Sequence, residues 1–92
     1  MKIVKISAIW CSGCLVMNKV WNKLKDNFDF EAIELDYDMD EEEVMKYNPG
    51  KNIPVFIIYE NDEEKLRLTG ELGYDDMVSR IKEVGELNEK NN

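Results

Sequence analysis

The chain has 92 residues, enough for one compact domain and not for two. Its 12 basic and 20 acidic side chains give a net charge of −8, which argues against a nucleic-acid partner because phosphate binding needs a basic stripe. Histidine is absent, so Ser–His or Cys–His catalysis, an imidazole base and His-ligated zinc are excluded.

Residues 2–9 (KIVKISAI) are rich in β-branched residues and apolar on both faces, as in a central strand covered on both sides. Lys5 interrupts this apolar start, and no apolar run leads to a small-residue cleavage site. The longest apolar run, residues 55–59, is far below the ~18 residues of a membrane span, so a cytoplasmic protein without a membrane partner is expected. From residue 11 to residue 26 the period becomes helical, with Met17, Val20, Trp21, Leu24 and Phe28 recurring every three or four positions. Residues 30–37 (FEAIELDY) return to strand character. Strand, helix and strand at this spacing make a βαβ unit with parallel strands and a right-handed crossover.

Asp40 and Glu43 form a capping-box-like start for a short helix through residues 45–47, and Asn48-Pro49-Gly50 ends it. Residues 54–59 (PVFIIY) and 65–69 (KLRLT) read as two strands joined by a polar turn at 61–64. A last helix starts near Tyr74, with Met77, Val78, Ile81 and Val84 on the same face, Asp75 and Asp76 in its first turn and Gly85 as its stop. Residues 88–92 are expected to be a frayed polar tail on a single domain of residues 1–87. The order β-α-β-α-β-β-α predicts an α/β fold, a four-stranded mixed sheet with helices on both faces.

Cys11 and Cys14 are the two cysteines, in Trp10-Cys11-Ser12-Gly13-Cys14. A lone CxxC in a reducing compartment reads as a redox dithiol or half of a metal site. At a strand-to-helix junction, residues three apart share a face, so the sulfurs can close a small ring. The unpaired N–H groups of the helix start favour a thiolate at Cys11, which makes it the candidate nucleophile. Cys14, one turn deeper, is the candidate resolving thiol. A soft-metal module for Cu(I) or zinc is one alternative, although Ile9 and Trp10 replace the Met-x that precedes the cysteines in copper-transfer domains. A redox-inactive interaction domain is another. Asp36, Asp38 and Asp40 alternate as in a calcium loop, but Glu41 and Tyr47 stand at its sixth and twelfth positions. They read instead as a strand end, a helix cap and a solvated face. Trp21 reads as core, and Trp10 as a partly exposed rim over the dithiol.

With Trp10 before the CxxC, Ile53-Pro54 forty residues after Cys14, and this element order, nearly the whole chain resembles the thioredoxin family. The resemblance implies a thioredoxin-like fold and thiol–disulfide exchange. It implies attack by Cys11, resolution by Cys14, a cis Ile53–Pro54 bond beside the dithiol, and a substrate groove shaped by Trp10, Ser12, Gly13, Ile53, Pro54 and Gly70. Neither metal nor organic cofactor is implied. Protein disulfides are the implied substrates, a reductase or glutathione the source of electrons, and a monomer is expected. The chain departs from the pattern in three places. Its size matches the glutaredoxin-type minimal core. Ser12-Gly13 replaces the Gly-Pro of thioredoxins and the Pro-Tyr common in glutaredoxins. Lys5, six residues before Cys11, stands where thioredoxins usually keep a buried aspartate, and a lysine there can stabilise a thiolate by its charge. Gly73-Tyr74-Asp75-Asp76 resembles the glutaredoxin segment that holds glutathione's carboxylate, without its usual basic partners.

Overall fold

A computed structural model describes residues 1–90. The elements are β1 (Lys2–Ser7), α1 (Ser12–Asn27), β2 (Phe28–Asp29), β3 (Glu31–Asp36), α2 (Glu41–Lys46), β4 (Val55–Glu60), β5 (Glu63–Thr69), α3 (Tyr74–Val84) and β6 (Asn88–Glu89). The main sheet has the order β3-β1-β4-β5. β1 pairs with β3 in parallel, and the other two pairings are antiparallel. This is the expected mixed sheet, with the βαβ unit at one side.

Strand alternation divides the core into two layers. Ile3, Phe56, Ile58 and Leu68 face Met17, Trp21 and Leu24 of α1 and Met77 and Ile81 of α3. On the other side Val4, Ile6, Val55 and Ile57 pack with Val44 of α2. Four consecutive residues of β4, from Val55 to Ile58, are therefore buried, each contributing roughly 1.5–3 kcal/mol. No helix among the described residues is long and apolar enough to cross a membrane.

Four details differ from the sequence expectation. Cys11 is the N-cap of α1 rather than its first residue. Phe28 leaves the helix and opens β2, which pairs with β6, and Lys90 N–H donates to Asn27 O at 2.9 Å. Residues 88 and 89 of the expected tail are thus strand. Residues 91 and 92 lie outside the described residues. Backbone pairing needs no apolar side chains, so the polar sequence concealed it. Asp40 is the N-cap of α2, but its carboxylate makes no cap bond; it accepts instead from Asp36 N–H at 2.8 Å and closes the loop before the helix. Finally, β5 starts at Glu63, and the hairpin turn shrinks to Asn61 and Asp62, at φ 55° and 63°. Asn and Asp tolerate this left-handed conformation, and two such residues match the twist of a hairpin.

Candidate active site

The polypeptide leaves β1 at Ser7 and turns, with Cys11 N–H donating to Ala8 O at 3.2 Å. Cys11 then caps α1 with its own sulfur, which accepts from Cys14 N–H at 3.2 Å. Helix caps are usually Ser, Thr, Asp or Asn oxygens. A sulfur in that place receives the dipole of the helix start, which favours negative charge. Ser12 is exposed in the first helical position. A methyl group on Gly13 would lie 3.5 Å from Pro54 Cδ, 3.6 Å from Glu71 Cγ and 4.0 Å from Cys11 Sγ, so the glycine keeps a shallow space open between these groups.

Opposite stands the Ile53–Pro54 peptide bond, which is cis. The Cys11 thiol donates to Ile53 O at 3.6 Å. Pro54 O accepts from Gly70 N–H at 2.9 Å. Gly70 has φ +85° and nothing within 4 Å of where a Cβ would be, so its conformation rather than crowding calls for glycine. Trp10 is 64% exposed; its indole N–H donates to Asp38 Oδ2 at 2.6 Å, and its ring meets Tyr37 edge-on. Ile9 and Met39, next in sequence to Trp10 and Asp38, are exposed as well. Tyr37 and Ile53 pack against Ala8, Cys11 and Cys14.

Both thiols are buried, to different depths. Cys14 is the deeper, at 3% exposure against 9% for Cys11. Burial pushes the Cys14 thiol up from its ordinary 9.0 to about 11, with a further contribution from its hydrogen bond to Cys11, while Ala8's backbone and the charge of Lys5 work the other way. Lys5 is a half-hidden cation. Its ammonium reaches Asn18 Oδ1 at 3.4 Å and Glu34 Oε1 at 3.6 Å and lies 5.7 Å from the Trp21 ring. Glu34 also accepts from Trp21 Nε1 at 2.9 Å and Lys25 Nζ at 3.3 Å. Partial burial opposes its ionisation, but the Trp21 and Lys25 hydrogen bonds and the charges of Lys25 and Lys5 outweigh it and hold the carboxyl below its usual range.

The structure gathers Trp10, Ser12, Gly13, Ile53 and Pro54 around the cysteines, and Gly70 joins them through Pro54. It does not bring Tyr74 there. That hydroxyl accepts from Asn27 Nδ2 at 3.1 Å and its ring lies under Lys23, at the end of α1 remote from Cys11. Sequence reasoning missed Asp38 as the anchor of Trp10 and Glu71 beside Gly13. The only signal for Glu71 was its place after Gly70. Glu34 was findable, because parallel register sets it opposite Lys5. The two thiols are soft metal donors, and no cluster of three or more metal-ligating side chains occurs among the described residues.

The sequence model of the family described as Thioredoxin matches residues 1–83. The thiol:disulfide interchange protein DsbD of Campylobacter jejuni is 26% identical over 86 residues. That alignment covers 86% of this chain but 15% of the relative, so the chain spans about a seventh of that protein. Among solved structures, the reduced thioredoxin pre-protein of Schistosoma mansoni is 26% identical with a TM-score of 0.79, over 90% of this chain and 77% of that one. Thioredoxin 1 of Thermosipho africanus TCF52B, at 20% identity, shares the fold with a TM-score of 0.78 over 90% and 92% of the two chains. A match that runs from β1 into α3, on a fold that sets both cysteines at the start of α1, makes this chain a member of the thioredoxin family.

Proposed function

We propose that this domain is a thiol–disulfide oxidoreductase in which Cys11 attacks and Cys14 resolves. One observation carries the reading: Cys11 sulfur is at once the N-cap of α1, accepting Cys14 N–H at 3.2 Å, and the donor to Ile53 O at 3.6 Å. Ionisation of Cys11 strengthens the first bond and abolishes the second. The nucleophile and a backbone acceptor for an extended substrate segment are thereby released together.

The Cys11 thiolate attacks one sulfur of a substrate disulfide. A Cys11–substrate S–S bond forms, the substrate S–S bond breaks, and the departing sulfur takes up a proton. Cys14 then gives up its proton and attacks Cys11 Sγ. The Cys11–Cys14 bond forms, the mixed disulfide breaks, and the second substrate sulfur is protonated. The substrate gains two electrons and two protons, and the protein loses both. A reductase or a thiol such as glutathione restores the dithiol. No metal or organic cofactor enters these steps.

The substrates are protein disulfides, and the domain works as a monomer in the cytoplasm. Ile9, Trp10 and Met39 offer them an apolar rim, while Asp38 and Glu71 favour substrate segments carrying basic side chains. The interchange activity named for the Campylobacter relative supports the chemistry.

Cys14→Ser mixed with a disulfide-bonded protein should form a lasting covalent adduct through Cys11, mapped by mass spectrometry. Cys11→Ser should form none. Adducts that form only through Cys14 would reverse the roles. Absence of adducts from both variants, with no Cys11–Cys14 disulfide in the wild-type protein, would remove the reading.

A further inference from the structure

We propose that Tyr37 is a positioning residue for substrate: its hydroxyl holds the loop between α2 and β4, and through that loop the Ile53 carbonyl with which an extended substrate segment pairs. The proposal rests on the exchange reading above.

The loop has little else to hold it. Asn48 N–H donates to Met45 O at 3.2 Å, and the next backbone-to-backbone bond along the chain is the one Pro54 O accepts from Gly70 N–H. Among the described residues, 49–53 make none. Two side chains stand in for backbone partners. The Tyr37 hydroxyl donates to Gly50 O at 3.0 Å, and Arg67 Nη1 donates to Asn48 O at 2.9 Å. Both anchors are themselves fixed. Arg67 is gripped by the two oxygens of Glu64 at 2.7 and 2.9 Å, a bidentate pair that sets the plane of the guanidinium. Tyr37 N–H donates to Ser7 O at 2.7 Å, at the end of β1.

Tyr37 is the anchor beside the dithiol. It packs, as Ile53 does, against Ala8, Cys11 and Cys14, and its ring meets Trp10 edge-on. Ile53 follows Gly50 by three positions, in a loop tied at Gly50 and again at Pro54. In the thiol state Cys11 also donates to Ile53 O, at 3.6 Å. The attacking thiolate has no proton to donate, so this bond is absent when substrate docks. The place of Ile53 O then depends on the loop, and the loop on Tyr37 and Arg67. An acceptor already held in place loses little freedom when a substrate N–H arrives, which is where the tether acts.

Tyr37→Phe is the narrow probe, because it keeps the ring and deletes only the bond to Gly50 O. A merely structural tyrosine predicts the same effect on every substrate. A positioning tyrosine predicts an effect that depends on the substrate's own N–H.

The test uses the full chain, reduced, and a short peptide whose one cysteine is disulfide-bonded to a chromophoric aryl thiol. Cys11 attacks the peptide sulfur. The Cys11–peptide bond forms, the peptide–aryl S–S bond breaks, and the departing aryl thiolate is followed by absorbance. Cys14 then gives up its proton, forms the Cys11–Cys14 bond and releases the peptide thiol. Versions of the peptide N-methylated at single amides beside the cysteine cannot donate there. With the wild-type protein, one of them should raise the half-saturating concentration about three- to tenfold, with little change in the limiting rate. Tyr37→Phe should raise that concentration for the unmodified peptide about two- to fivefold and shrink the N-methyl penalty by the same factor. Arg67→Met frees the other end of the loop and should act in the same direction. A full N-methyl penalty in both variants, or no penalty in the wild-type protein, overturns the proposal. A wild-type protein that releases no aryl thiol overturns the exchange reading itself, and the proposal with it.

Discussion

The two sides of β1 carry the same backbone into different environments. Val4 and Ile6 point into a layer closed by Val44, Val55 and Ile57, all at 0 or 1% exposure, with the charges of that face at its margin, where Lys2 lies over the Tyr59 ring and Arg67 pairs in register with Ile57. On the opposite side Ile3 is equally buried, but two residues on the layer admits Lys5, and past the strand's end come Cys11 and Cys14. The six-residue helix α2 closes the first layer with one buried side chain, Val44. The sixteen-residue α1 instead runs from the dithiol down to Leu24, across a gradient from polar to apolar. The uniform layer can hold the register of the sheet because nothing in it has to change charge. The graded layer holds its thiols at the helix start, while Lys5, Glu34 and Lys25 place charge along the middle and second half of α1. Stability and chemistry are thus divided between the two faces of one strand.

The largest effect of breaking that division belongs to the apolar side. Ile57→Ala should cost about 2–5 kcal/mol by urea unfolding, and the milder Ile57→Val about 0.5–1.5 kcal/mol, with the exchange equilibrium of the folded protein unchanged. A shifted equilibrium in Ile57→Val would show that the two faces are coupled. The next effect belongs to Cys14. Its thiol is raised from 9.0 to about 11, so the folded, reduced protein keeps a proton that the unfolded chain releases. The stabilisation is complete below about pH 9 and is lost as pH rises toward 11, on the order of 2 kcal/mol in all. Urea midpoints across this range, in reductant, should show the loss in the wild-type protein and not in Cys14→Ser. An equal loss in both would assign the ionisation elsewhere, for example to Tyr59, whose hydroxyl burial also raises.

The two faces were not equally legible in the sequence. The run of residues 2–9, apolar on both faces, and the helical period after Cys11 reveal both layers, because in a chain of 35% charged residues such apolar runs and stripes mark where water is excluded. Cys11, Cys14, Pro54 and Gly70 were visible because each has a chemistry or backbone preference that few other residues share. The carboxylates were not. With 20 acidic residues, nothing in the pattern separates Asp38, which anchors Trp10, or Glu71, which borders Gly13, from the solvated majority. Asp40 had the spacing of a capping box, but its carboxylate found Asp36 N–H first, a choice set by the loop's own closure. The β2–β6 pair was hidden for a different reason. Its bonds are made by the backbone, and its strand at 88–89 is polar.

The smallest effect tests whether the rim of the graded layer is arranged before substrate arrives. The Trp10 ring is largely in water, so its orientation depends on the 2.6 Å bond to Asp38 and the edge contact with Tyr37. Asp38 is itself fixed, because its N–H donates to Asp36 Oδ1 at 2.9 Å. Asp38→Ala frees an exposed indole and should change stability by no more than about 0.5 kcal/mol. Ordering that indole again on docking should cost about 0.5–1.5 kcal/mol, a two- to tenfold rise in KM for a protein disulfide. A small disulfide that reaches only Cys11 should react at the wild-type rate. Rates with both substrates separate the possibilities. Equal slowing of large and small disulfides would mean that the Trp10–Asp38 pair acts on the Cys11 sulfur itself, and the rim would then belong to the chemistry rather than to recognition.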